Sequence, residues 1–111
     1  MAVTQDEASG TQTCVSGTTH TLATITTEGI RELALDLNAL LADEFVEVTV
    51  EEKVLTAGTV RVYLAETFRG GRTDPIVKTT PVASVFGNTF KIKTTAAANR
   101  DIPWAVRKIP S

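Results

Sequence analysis

One cysteine, one histidine and six aromatic residues in a chain of 111 leave few groups for chemistry. The lone Cys14 excludes an intramolecular disulfide and any multi-cysteine zinc or iron–sulfur site, so no metal and no cofactor is expected and the fold must rest on packing. No apolar run approaches the roughly 18 residues that cross a bilayer, and the start, MAVTQDEASG, lacks the basic and apolar regions of a secretion signal. Synthesis in a cytoplasm and no membrane partner are therefore expected. An excess of either charge is missing too. Eleven basic against 13 acidic residues give a net charge of -2, without the cationic field that nucleic acid attracts, so no nucleic acid partner is expected.

What is present points to β structure. Threonine recurs in TTHT, ITTE, VKTTP and KTTAAA, and its branched hydroxyl side chain suits a half-buried pleated surface better than a helix. The length permits one domain, which at this size buries only about 60–65% of the surface its unfolded chain exposes. Partners would add stability to so small a core.

The chain divides by composition. Residues 1–19 are small and polar, with Val3 and Val15 the only sizeable aliphatics, and read as an extended N-terminal arm whose removal leaves the fold intact. Residues 20–111 form the domain. Val46, Val48 and Val50 alternate with Glu47, Thr49 and Glu51; Thr56-Ala57-Gly58 interrupts; Val60, Val62 and Leu64 then alternate with Arg61, Tyr63 and Ala65. That pattern predicts a hairpin with both aliphatic rows on the core. Arg69-Gly70-Gly71-Arg72 marks a turn, expected at an exposed tip. Shorter strands are predicted at Ile76–Thr80, Thr89–Thr95 and Trp104–Ile109, with Pro75, Pro81, Pro103 and Pro110 bracketing them at ends and edges.

Residues 28–45, EGIRELALDLNALLADEF, carry two periods at once. Ile30, Leu33, Ala34, Leu37, Leu40 and Leu41 fit one face of a helix capped by Thr26 or Thr27, whereas Leu33, Leu35 and Leu37 alternate as a strand requires. Leu35 falls off the helical stripe, and the segment lies between threonine-rich β candidates. The strand reading is preferred over Arg31–Leu37, followed by one helical turn at Asn38–Ala42. Seven or so short strands then make an all-β antiparallel β-sandwich, jelly-roll or immunoglobulin-like, with the arm extending from it.

Catalytic constellations fail on geometry. His20 and Cys14 lie in or beside the polar arm with no rigid element between them to fix a nucleophile against a base. Asp43-Glu44 and Glu51-Glu52 are adjacent pairs, and neighbours on a strand point to opposite faces, so neither pair converges as glycoside hydrolysis needs. Asp36 and Asn38 read as a turn, since the acidic spacing and glycine of a calcium loop are absent. Arg69-Gly70-Gly71-Arg72 lacks the lysine and hydroxyl of a P-loop. Lys91 and Lys93 share one strand face and read as solvated charge. Trp104, in IPWAV, reads as a core plug, and the few aromatics do not furnish a separate stacking platform. No catalytic residue is assigned, and no enzyme is expected.

The run HTLATITTEGIRELALDLNALLADEFVEVTVEEKVL, the later YLAETFRGG, the Asp74-Pro75 step with PVAS, and the closing DIPWAVRKI resemble small structural proteins of tailed bacteriophages over about Thr19–Ile109. The resemblance implies a β-rich virion component, a capsid decoration or cement protein made in the bacterial host cytoplasm and placed on the capsid surface. It implies the major capsid protein as partner, and self-association, a trimer suiting threefold positions of a shell. It transfers no catalytic residues. An arm that pairs as an added strand would grip neighbouring subunits by many simultaneous contacts. The interface expected from these readings comprises Val3, Thr4, Thr11, Thr13 and Val15 of the arm, with Arg69 and Arg72 of the glycine turn. A head–tail connector or tail component, and a carbohydrate- or receptor-binding module of a tail fibre, are the alternative readings; an exposed aromatic cluster including Trp104 or Tyr63 would mark the latter.

Overall fold

The computed structural model describes residues 5–110 and contains nine strands and no helix among them. They are β1 (Gln5–Cys14), β2 (Thr19–Ile25), β3 (Gly29–Asp36), β4 (Phe45–Glu52), β5 (Arg61–Arg69), β6 (Ile76–Lys78), β7 (Val82–Ser84), β8 (Asn88–Thr95) and β9 (Arg100–Ile109). Two antiparallel sheets pack together as a β-sandwich. Sheet A has the order β1-β9-β3-β6, with β7 also on β3; sheet B has the order β2-β8-β4-β5. The pairs are nested: β4–β5 is the local hairpin, β3 takes β6 and β7, β2 takes β8, and β1 takes β9. Two further pairings, β3–β9 and β4–β8, join the pairs into sheets.

The core lies where inward residues alternate. Leu33 and Leu35 of β3, with Ile102 and Val106 of β9, face Val46, Val48 and Val50 of β4 and Phe90 and Ile92 of β8. Leu33, Leu35 and Leu37 are all essentially inaccessible to solvent, which is the alternation the strand reading of 28–45 required. The expected helical turn at 38–42 is instead two successive hydrogen-bonded turns, Leu40 N–H to Leu37 O (3.0 Å) and Glu44 N–H to Leu41 O (3.0 Å). Leu40 drops back into the core and Leu41 stays in solvent.

Four further expectations need correction. The stretch read as an arm is extended, but residues 5–14 are an edge strand of sheet A, paired along their length with β9. Composition hides this because β1 contributes only Cys14 and part of Ala8 to the core; its place is specified by main-chain pairing and polar contacts. Val60 and Val62 are exposed, because the hairpin loop runs past the end of the sheet and a register shift after Val50 breaks the alternation; inward positions of β5 begin at Leu64. Pro103 lies inside β9 and not at its end, tolerated because pairing to β3 stops at Trp104. Gly70 is buried, where a Cβ would stand 2.4 Å from Leu40 Cβ and Leu41 O, so the glycine turn is packed under the 37–44 loop.

The short strands β6 and β7 are one edge interrupted. Thr79 donates its N–H to Leu33 O (2.9 Å) and accepts from Leu33 N–H on its side-chain oxygen (3.0 Å), replacing a ladder step before Pro81 turns the chain. Thr80 N–H reaches Glu66 of β5 (2.9 Å), an inward carboxylate on the edge of sheet B.

Arg31 of β3 is wholly buried. Its guanidinium donates to Thr27 O (2.8 Å), Thr27 Oγ1 (2.9 Å) and Glu28 O (3.3 Å), and its counter-charge is Glu7 of β1. Glu7 is the extra residue of a bulge, since Asp6 opposes Arg107 and Ala8 opposes Val106. The bulge turns Glu7 inward while Asp6 stays on the outer face with Arg107 (3.0 Å). Glu7→Ala should therefore lower the unfolding free energy by about 2–4 kcal/mol, because it strands a buried cation. Asp6→Ala, which breaks a largely exposed pair, should cost under about 1 kcal/mol in the same urea titration of dilute protein. Equal effects would refute the assignment of Glu7 as the counter-charge of the buried Arg31.

Candidate protein-interaction surface

The residues that carry chemistry in other proteins are engaged structurally here. Cys14 is buried, its sulfur 3.7 Å from Gln12 O, and burial together with the nearby Asp101 charge pushes its thiol up to about 11. A thiol so protonated at neutral pH is a packing residue. His20 accepts the Val15 N–H on Nε2 (3.1 Å), and Nδ1 faces the Gln12 amide (3.3 Å), so the ring closes the β1–β2 turn.

The acidic pairs diverge as strand geometry demands. Glu51 pairs with Lys91 (3.1 Å) on the face of sheet B, and Glu52 turns to the opposite side. Asp43 is exposed, whereas Glu44 is buried and bound in a fork by Arg100, Nε to Oε1 at 2.9 Å and Nη2 to Oε2 at 2.8 Å. Its oxygens also accept the N–H groups of Leu41 (2.9 Å) and Ala97 (3.0 Å). Asp36 accepts the Asn38 N–H (3.0 Å), the turn expected for that pair.

The expected interface residues are not gathered in one place. Val3 and Thr4 lie outside the described residues. Thr11 and Thr13 are on the outer face of sheet A, Thr13 donating to Asp101 (2.7 Å). Val15 is half-exposed in the β1–β2 turn. Arg69 ends β5 opposite Phe45, and Arg72 donates to Asp74 O (3.1 Å), which puts both at the end of the sandwich shared with Val15.

The opposite end holds what residue-by-residue reading missed. Val54 is 85% exposed, Val85 67% and Leu55 69%, with Val60 and Val62 also in solvent. Val54 and Val85 flank a groove of about 530 Å³ whose other walls are Ile30 and Ala83 and whose rim carries Glu28, Glu52 and Lys108. A second hollow of about 290 Å³, with Val60 and Phe86, shares Glu52 with it. Three connections build this end: 26–28, between β2 and β3; 53–60, which leaves sheet B after β4; and 85–87, which joins the two sheets. The signal in the sequence was Val54-Leu55, an adjacent aliphatic pair beyond the last alternating residue of β4, where no core remains for it to fill. Aliphatics concentrated on loop tips mark contact with another macromolecule more often than packing.

Aromatic placement bears on sugar binding. Trp104 packs against the core with its ring over Gly10, 3.5 Å from where a Cβ would be, and Tyr63 stands exposed on β5 away from it. They form no shared platform. Scans of family models, curated proteins and solved structures each return no match to this chain.

The Glu44 fork generates a pH dependence. Hydrogen bonds from Arg100 and from the Leu41 and Ala97 amides hold its carboxyl down to about 2, below the unfolded value of 4.5. A depressed folded-state value means the stabilisation is complete above the unfolded value and is lost as pH falls through the folded one. Chemical denaturation midpoints should therefore decline between pH 5 and pH 2 for the parent chain. Glu44→Gln should start lower at pH 7 and decline less across that window; parallel profiles would exclude Glu44 as a source of acid lability.

Proposed function

We propose that this chain is a non-enzymatic bacteriophage virion protein, a capsid decoration or cement protein that binds the assembled head and stabilises it. The observation that carries the reading is the exposed aliphatic end of the sandwich, whose tips are the 53–60 and 85–87 loops. A small domain that leaves Val54, Leu55 and Val85 in water gains by covering them, and a protein surface with apolar pockets covers them best. The major capsid protein is the partner this reading names, on the outside of the shell.

The virion context comes from the resemblance read in the sequence over residues 19–109, and one observation of the fold supports it. Sheet orders β1-β9-β3-β6 and β2-β8-β4-β5, with nested antiparallel pairs, support a jelly-roll reading of the sandwich. Jelly rolls recur in viral capsid proteins, which is an argument by analogy of fold. In this reading attachment is made by the loop end, and β1 serves the domain's own sheet.

Attachment should depend on the loop tips. Val54→Asp combined with Leu55→Asp should abolish binding to purified heads without lowering the melting temperature, since neither side chain touches the core. Electron microscopy of the virion should show many copies spread over the head. A few copies in a ring at one vertex would replace the cement reading with that of a connector, and undiminished binding of the double variant would remove the loop end from the interface.

A further inference from the structure

The outer face of sheet A carries charges in a fixed order. Asp6 of β1, Arg107 of β9 and Glu32 of β3 occupy one cross-strand row, since Arg107 is the register partner of both acids. Lys78 of β6 stands one row along, opposite Ala34, and its side chain slants back to this row, Nζ 3.7 Å from Glu32 Oε1, while Arg107 Nε is 3.0 Å from Asp6 Oδ1. Four strands therefore present minus, plus, minus, plus across the sheet. The inner acid is shielded, but the Asp6 and Lys78 side chains at the two ends are 56% and 52% exposed.

Such a row is its own complement. Rotation by 180° about an axis parallel to the strands, between β9 and β3, reverses the order and sets each charge against its opposite. Asp6 then meets Lys78 of the second copy, and Arg107 meets Glu32. The same operation aligns the apolar positions. Ala105 and Ala34 are cross-strand partners in the next outward row, and the rotation lays each on the other. Their small side chains floor a shallow depression of about 270 Å³. In the third row Ile76, 56% exposed on the edge strand, comes to rest on Thr11 and Pro103.

We propose that the outer face of sheet A is a self-association surface, on which two copies of this chain pair about a twofold axis parallel to the strands. The interface is isologous, so each contact occurs twice and any change to it counts twice. Its charges sit at the rim, with small residues between them, which favours a specific but modest dimer over a permanent one. The pairing is independent of what the loop end binds, since the two surfaces share no residue.

Sedimentation of the intact chain at increasing concentration, up to about 1 mM, tests this. The parent chain should pass from monomer to dimer. Asp6→Lys sets two lysines against each other at both symmetric positions, and Lys78→Glu sets carboxylate against Asp6; each should weaken its own homodimer about tenfold or more. An equimolar mixture of the two variants should dimerise again, because the introduced lysine of one chain faces the introduced glutamate of the other, and Lys78 of the first faces Asp6 of the second. Ile76→Asp should also weaken the parent dimer, and melting curves would establish that each variant is folded. A parent chain that stays monomeric, a trimer, homodimers indifferent to the substitutions, or a mixture that fails to recover would each overturn the proposal.

Discussion

A guanidinium without solvent contact sits at Arg31, and much of the architecture follows from having to neutralise it. Three oxygens of Thr27 and Glu28 satisfy its hydrogens from the β2–β3 turn, but none of them carries charge. The carboxylate comes from Glu7, more than twenty residues earlier, on a strand that reaches the site only by pairing with the last strand of the chain. Buried ion pairs add little net stability over apolar replacements, yet they penalise every arrangement that leaves one partner alone. Here the penalty fixes register: a slip of β1 by one residue would carry Glu7 away and turn Asp6 inward.

This constraint is set within a nested topology. The β4–β5 hairpin forms from neighbouring sequence, and each later pair encloses the one before it, until β1 and β9 bring the two ends of the chain together. Loop-closure entropy grows with each enclosure, so the outermost pair has the greatest need of specific contacts. Three such contacts hold it: Arg31–Glu7 inside, Arg107–Asp6 and Thr13–Asp101 outside. At the other end of the sandwich Glu44 does comparable work, tying the 37–44 loop to the β8–β9 connection through Arg100 and Ala97. Gly70 and Gly71 seal the same loop, donating their N–H groups to Glu44 O and Leu40 O.

Polar groups are thus spent on the ends and edges, and what remains on the surface is divided. One end is pinned by the Glu44 fork, the other exposes aliphatic loop tips, and the outer face of sheet A carries small residues and charges in alternation. Such a division suits a protein that meets several neighbours at once, each through a different surface. The short edge strands β6 and β7, an inward Glu66 on β5 and a bulge in β1 discourage unspecific strand addition at the sheet edges.

The sequence by itself determined the all-β class, the strand through Leu33, Leu35 and Leu37, the inward row Val46, Val48 and Val50, and the divergence of the acidic pairs. These are period-two properties, decided by neighbours along the chain and by which side must be apolar. Tertiary structure alone decided that residues 5–14 belong to a sheet, that Arg31 is buried, that Gly70 lies beneath Leu40, and that Val54, Leu55 and Val85 converge at one end. Each depends on segments brought together across the nested pairs, where a residue's environment is set by a strand far away in sequence. Composition marks β1 as too polar for a core, and it is; the strand holds its place through backbone bonds and polar side-chain contacts, to which hydrophobic patterning is blind.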